Sequence, residues 1–105
     1  MVDIATFRQI ALAFPGVTEQ SHFHRAAFRV KKGIFATLDA DKCEVNIKLT
    51  EIDQDVFSKF DNEVIYPVAN NWGKQGWTTI NLNKIHPDML TDALSTAYHH
   101  IITKK

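Results

Sequence analysis

The run FRVKKGIFATLDADKCEVNIKL, residues 28–49, decides how this chain folds. Phe28 and Val30 flank Arg29, and Ile34, Ala36 and Leu38 alternate with Phe35 and Thr37. Val45, Ile47 and Leu49 then alternate with Glu44, Asn46 and Lys48. A side-chain period of two belongs to strands with one buried face and one wet face. Lys32-Gly33 and Asp39-Ala40-Asp41-Lys42 punctuate the alternation as turns, the glycine accepting the positive φ of a tight hairpin. The run reads as an antiparallel meander, continued upstream to Phe23 between His22 and His24.

Helical spacing takes over on either side. Asp3 can cap a first helix in which Ile4, Phe7, Ala11 and Phe14 recur, and Pro15-Gly16 ends it. Thr50 with Asp53 resembles a capping box, and the helix after it carries Ile52, Val56, Phe57 and Phe60 on one side and acids on the other. Val64, Ile65 and Tyr66 form a short strand that Pro67 confines to an edge or end. Trp77 to Leu82 is a further strand, with Ile80 and Leu82 on one face and Trp77, Thr79 and Asn81 on the other. Pro87 and Asp88 suit the first turn of a last helix, whose stripe is Met89, Leu90, Ala93, Leu94, Ala97 and Ile101 and whose end Lys104 and Lys105 complement. The order α-β-β-β-α-β-β-α predicts an α+β, two-layer sandwich, with three helices on one face of an antiparallel sheet of about five strands. Phe7, Phe14, Leu90 and Leu94 are expected to supply much of the core.

A length of 105 residues suits one domain spanning the chain. Lys and Arg together number 12, as do Asp and Glu, so the net charge is zero and tight nonspecific binding to nucleic acid by the whole chain is not expected. The charges are segregated. Residues 20–35 hold Arg25, Arg29, Lys31 and Lys32 and no acid, whereas 51–63 hold Glu51, Asp53, Asp55, Asp61 and Glu63 against Lys59 alone. This asymmetry can orient a partner or belong to two solvated surfaces. Cys43 is the single cysteine, which excludes an intramolecular disulfide and suits a reducing compartment. With no signal-peptide pattern and no stretch near the roughly 18 apolar residues of a membrane span, a cytoplasmic, monomeric protein with no membrane association is expected.

Several segments carry a resemblance by their order and spacing: Phe14-Pro15-Gly16-Val17-Thr18-Glu19; Phe28-Arg29-Val30 with Lys32-Gly33-Ile34-Phe35-Ala36; Val45-Asn46-Ile47-Lys48; Trp77-Thr78-Thr79-Ile80-Asn81-Leu82; and Leu94-Ser95-Thr96-Ala97-Tyr98. Over essentially its whole length the chain resembles the MmcQ/YjbR family of small bacterial proteins. The resemblance implies a two-layer fold similar to that of the bacterial frataxin homologue, and it carries that family's label of DNA-binding protein. Family members often have His before the strand tryptophan, where this chain has Gly76. Iron chemistry does not travel with the fold, and Asp3 is the only acid of the first helix.

Alternation also assigns the second face of the sheet. Arg29, Lys31, Phe35, Thr37, Asn46, Lys48, Trp77, Thr79 and Asn81 would share it, mixing cations with aromatic rings as sheets that read single strands do. The alternative is a solvated face on which lysine stems shield the rings. The segment Asn70-Asn71-Trp72-Gly73-Lys74-Gln75-Gly76-Trp77 gathers both tryptophans, and Trp72 with Lys74 either joins a binding platform or folds over a core edge. His22 and His24 lie on one side of a strand as two potential metal ligands, but no Cys, Asp or Glu completes a set, so no metal and no cofactor is expected. His99-His100 diverge on a helix, Cys43 reads as a strand residue, and Ser21 and Ser95 have no nucleophile signature. The expectation is a small non-enzymatic binding module. Its candidate residues are Arg29, Lys31, Phe35, Lys48, Trp72, Lys74 and Trp77. Its partner would be single- or double-stranded nucleic acid held weakly on the sheet face; alternatively, the Trp72–Trp77 loop serves a protein or small-ligand adaptor.

Overall fold

The computed structural model describes the chain except Phe23, Lys32, Lys104 and Lys105, and gives His22 in its backbone alone. In chain order the elements are α1 (Ile4–Ala13), β1 (Thr18–His22), β2 (Arg25–Val30), β3 (Gly33–Asp39), β4 (Glu44–Lys48), α2 (Glu51–Phe60), β5 (Ile65–Pro67), α3 (Asn71–Lys74), β6 (Trp77–Asn81) and α4 (Pro87–Thr103). Six strands form one antiparallel sheet in the order β1-β2-β3-β4-β6-β5. The α+β architecture is the expected one, enlarged by strand β1 and the one-turn helix α3.

Helices α1 and α2 start where the sequence supplies a cap. The Asp3 carboxylate accepts from Thr6 N at 2.7 Å, and the Thr50 hydroxyl accepts from Asp53 N at 3.1 Å. Hydrogen bonds from Thr6, its side chain first and its backbone N–H second, lower the Asp3 carboxyl from its ordinary value. Pro67 sits in β5, an edge strand, where a missing N–H costs no ladder bond.

The core lies between the sheet and the helices that cover one of its faces. Phe7 and Ala11 of α1 and Leu90, Ala93, Leu94 and Ala97 of α4 are buried against Phe28, Ala36, Leu38, Val45, Ile47 and Ile80 of the sheet. Phe7 meets Phe28 edge-on at 5.3 Å, and Phe14 stacks on Tyr98 at 4.9 Å. The Tyr98 hydroxyl donates to Pro15 O at 2.6 Å, giving the polar end of that ring a partner.

Three local expectations are corrected. The pairing of β2 with β3 slips by one residue: Phe28 opposes Ala36 while Arg29 opposes Ile34, leaving Phe35 as the extra residue of a bulge. The bulge breaks the period of two, so Phe35 is fully buried against Phe14 and Tyr98, and Ile34 is only half-buried. The positive φ of the adjoining turn belongs to Lys31 (53°) rather than to Gly33, and Lys32 lies outside the described residues. Cys43 is a turn residue with φ of 53°, not a strand residue.

Helix α2 forms where expected but seats itself differently from its pattern. Of its apolar set only Phe57 packs on the core, while Ile52, Val56 and Phe60 are 77%, 61% and 75% exposed. The residue it buries instead is Gln54, whose Nε2, with two hydrogens, lies within donating distance of Gly73 O (2.9 Å), Trp77 O (3.1 Å) and Thr78 Oγ1 (3.2 Å).

Candidate functional site

The sheet face away from the helices carries a cleft of about 430 Å³ lined by Arg25, Thr37, Asn46, Val68, Asn70, Trp72 and Trp77. Cross-strand register builds its floor: Thr37 of β3 lies opposite Asn46 of β4, and Asn46 opposite Thr79 of β6. The tryptophan loop builds its wall. Asn70 caps α3 by accepting from Trp72 N at 2.9 Å, which places Trp72 beside the sheet with 57% of its surface exposed.

Two glycines let the loop lie this close. A Cβ on Gly73 would stand 1.9 Å from Val68 O, and one on Gly76 1.9 Å from Leu49 O. Gly76 also has φ of 101°, which side-chain-bearing residues rarely adopt. From this turn Trp77 enters β6 opposite Lys48, whose ammonium lies 5.8 Å from the indole centroid and also donates to Gln75 O.

The polar groups of the cleft are mostly donors. Asn46 Oδ1 already accepts from Thr79 Oγ1 at 2.8 Å, and Asn70 Oδ1 is used by the α3 cap, so these amides offer a ligand their NH₂ groups. The Arg25 guanidinium donates to Thr37 Oγ1 at 3.1 Å and stands 3.9 Å from Asp39. On the same face Tyr66 pairs across from Thr79, and its phenol is pushed above its ordinary range by burial and, less strongly, by the Glu44 carboxylate. Such a cleft suits a flat, acceptor-rich, anionic ligand.

The structure brings Trp72 and Trp77 together in this cleft and sets Lys48 against Trp77. Trp72 does not fold over a core edge. Phe35 is removed from the face by the bulge. Lys31 leaves it too, because its ammonium donates to Ile102 O at the C-terminal end of α4, 3.2 Å away. Arg29 is half-buried on β2, and Lys74 is exposed on α3; neither lines the cleft. Arg25 and Asn70 were not among the sequence candidates. Parity could have found Arg25, which stands four residues before Arg29 and so shares its strand face.

A second depression, between α2 and α4, is lined by Thr50, Asp53, Ser95, Thr96, His99, His100 and Thr103. The Ser95 hydroxyl is 3.3 Å from His99 Nδ1, but that nitrogen is 2.7 Å from Ser95 O. A carbonyl only accepts, so Nδ1 carries the proton and cannot act as base for the hydroxyl. Among the described residues no three His, Cys, Asp or Glu side chains converge as a metal site; the His22 side chain lies outside them. No described helix is long and apolar enough to cross a membrane.

The family model for YjbR matches residues 12–100, from the end of α1 almost to the end of α4. The chain belongs to the YjbR family. No curated protein matches it. Among solved structures it is similar to Deinococcus radiodurans protein DR2400, a protein with a DUF419 domain: TM-score 0.82, 21% identity, covering 100% of this chain and 81% of that one. At that identity the likeness concerns the fold. In this YjbR domain the backbone around position 76 accepts glycine alone, since any side chain there would meet Leu49 O.

Proposed function

We propose that this YjbR domain is a small non-enzymatic binding module whose open sheet face takes single-stranded nucleic acid weakly, with a base seated in the Trp72–Trp77 cleft. The observation that carries the reading is the convergence of both indoles and Arg25 in one donor-rich cleft on the sheet face opposite the core. Stacking on an indole accepts any base, and the amides meet the acceptor edges of the ring. Arg25 and Lys48 supply the cations for flanking phosphates. Asp39 and Glu44 on the same sheet, with the zero net charge, keep the affinity low.

Fluorescence titration with a single strand of about ten nucleotides at low salt tests this. Binding should quench the tryptophans. Trp72→Ala or Trp77→Ala should weaken it by about 1–3 kcal/mol. Arg25→Ala or Lys48→Ala should weaken it less and reduce the salt slope by roughly one. A thermal melt of each variant separates lost contact from lost fold. Absence of binding by the wild type, or binding that survives all four substitutions, rejects the reading.

The size of the cleft favours a second reading. Its volume of about 430 Å³ falls within the range of roughly 300–1,000 Å³ typical of small-molecule sites. A small aromatic anion or a protein side chain could then be the whole ligand, in an adaptor built on the same loop. Binding that is insensitive to salt and equal for a mononucleotide and an oligonucleotide would favour the adaptor.

A further inference from the structure

Helix α2 presents to solvent the residues that a surface helix normally hides. Ile52, Val56 and Phe60 recur at i, i+4 and i+8, which puts them in one row about 12 Å long. They are 77%, 61% and 75% exposed. The helix cannot roll to bury them, because the Gln54 amide donates to acceptors of the tryptophan loop and β6, and Phe57 is packed on the core. A contiguous exposed apolar row on a rigidly seated helix marks an interaction surface.

The surroundings of the row select its occupant. Asp53 and Asp55 flank the row within α2, Glu51 lies one turn before Asp55, and Asp61 and Glu63 lie past its C-terminal end. The one cation in this segment, Lys59, is bonded to Asp55 at 3.0 Å. Phosphate of nucleic acid or of an anionic bilayer meets like charge here. A second copy of α2 would set this acidic border against itself. We propose that the exposed face of α2 docks a basic amphipathic helix of a partner protein, whose apolar row lies on Ile52, Val56 and Phe60 and whose Lys and Arg residues meet the acidic border. This surface is separate from the Trp72–Trp77 cleft, so the two readings fail or stand independently.

The probe is a labelled 18-residue helical peptide with leucines in one i, i+4, i+8 row and lysines on both flanks, titrated by fluorescence anisotropy into the whole chain. Its twin has the same leucines and glutamates in place of the lysines. The basic peptide should bind at least about tenfold more tightly than the twin. Val56→Ser and Ile52→Gln change exposed side chains, so a melt should show an intact fold; each should weaken the basic peptide by about tenfold. Asp55→Lys with Glu51→Lys should reverse the preference between the twins. Trp72→Ala should leave peptide binding unchanged. Equal binding of the twins overturns the proposal, as does absence of binding at millimolar peptide. So does a dimer in sedimentation that Val56→Ser dissolves, or binding to anionic lipid vesicles through the same residues.

Discussion

Phe35 is fully buried against Phe14 and Tyr98, and the weight of that contact is measurable. If the bulge holds Phe35 against Phe14 and Tyr98, Phe35→Ala leaves a cavity and costs about 3–5 kcal/mol of stability in a denaturant melt. A ring on the open face would cost far less and would affect oligonucleotide binding instead. Tyr66 supplies a second test. Burial and the Glu44 carboxylate keep its phenol protonated above the ordinary range, so the unfolded chain ionises first. The associated stability is complete below about pH 10 and is lost as pH rises through the folded value. Ring-carbon NMR should show Tyr66 titrating late, and Glu44→Gln should lower its midpoint while leaving the larger effect of burial. Bulge and burial were both invisible in sequence, because a single extra residue in a strand leaves the composition of the run unchanged.

Among the elements, most helices and strands were legible and their seating was not. The caps at Asp3 and Thr50, the edge strand at Pro67 and the start of α4 at Pro87 lie where their residues put them. Strand β1 escaped because Thr-Glu-Gln-Ser-His has no apolar alternation; it is an edge strand held by its ladder to β2. The orientation of α2 escaped because its buried contact is an amide reaching carbonyl oxygens of a loop, which no hydrophobic period encodes. The loop of α3 depends on its glycines in turn. Gly76→Ala forces a Cβ onto Leu49 O in a left-handed conformation and should cost upward of about 1–3 kcal/mol, visible as a lowered melting temperature. Its amide spectrum should change around Leu49 and Trp77 first.

The whole molecule divides its surface by chemistry. Helices close one face of the sheet; the other holds a cleft with both indoles, and α2 offers an apolar row within an acidic border. The segregation of charge along the sequence announced the acidic part of this division, although the net charge is zero. The sequence placed Trp77, Asn46 and Thr37 on the open face through parity, but the joining of Trp72 to them follows from the α3 cap and from two glycines pressed on backbone oxygens. The central claim is that a base enters between these side chains, and the two indole N–H resonances of ¹⁵N-labelled protein report on it directly. Titration with a short single-stranded oligonucleotide at low salt should shift both, together with the Asn46 and Asn70 side-chain amides, while the amides of α2 stay in place. Indole resonances that remain fixed at saturating oligonucleotide, or shifts confined to α2, would contradict the account.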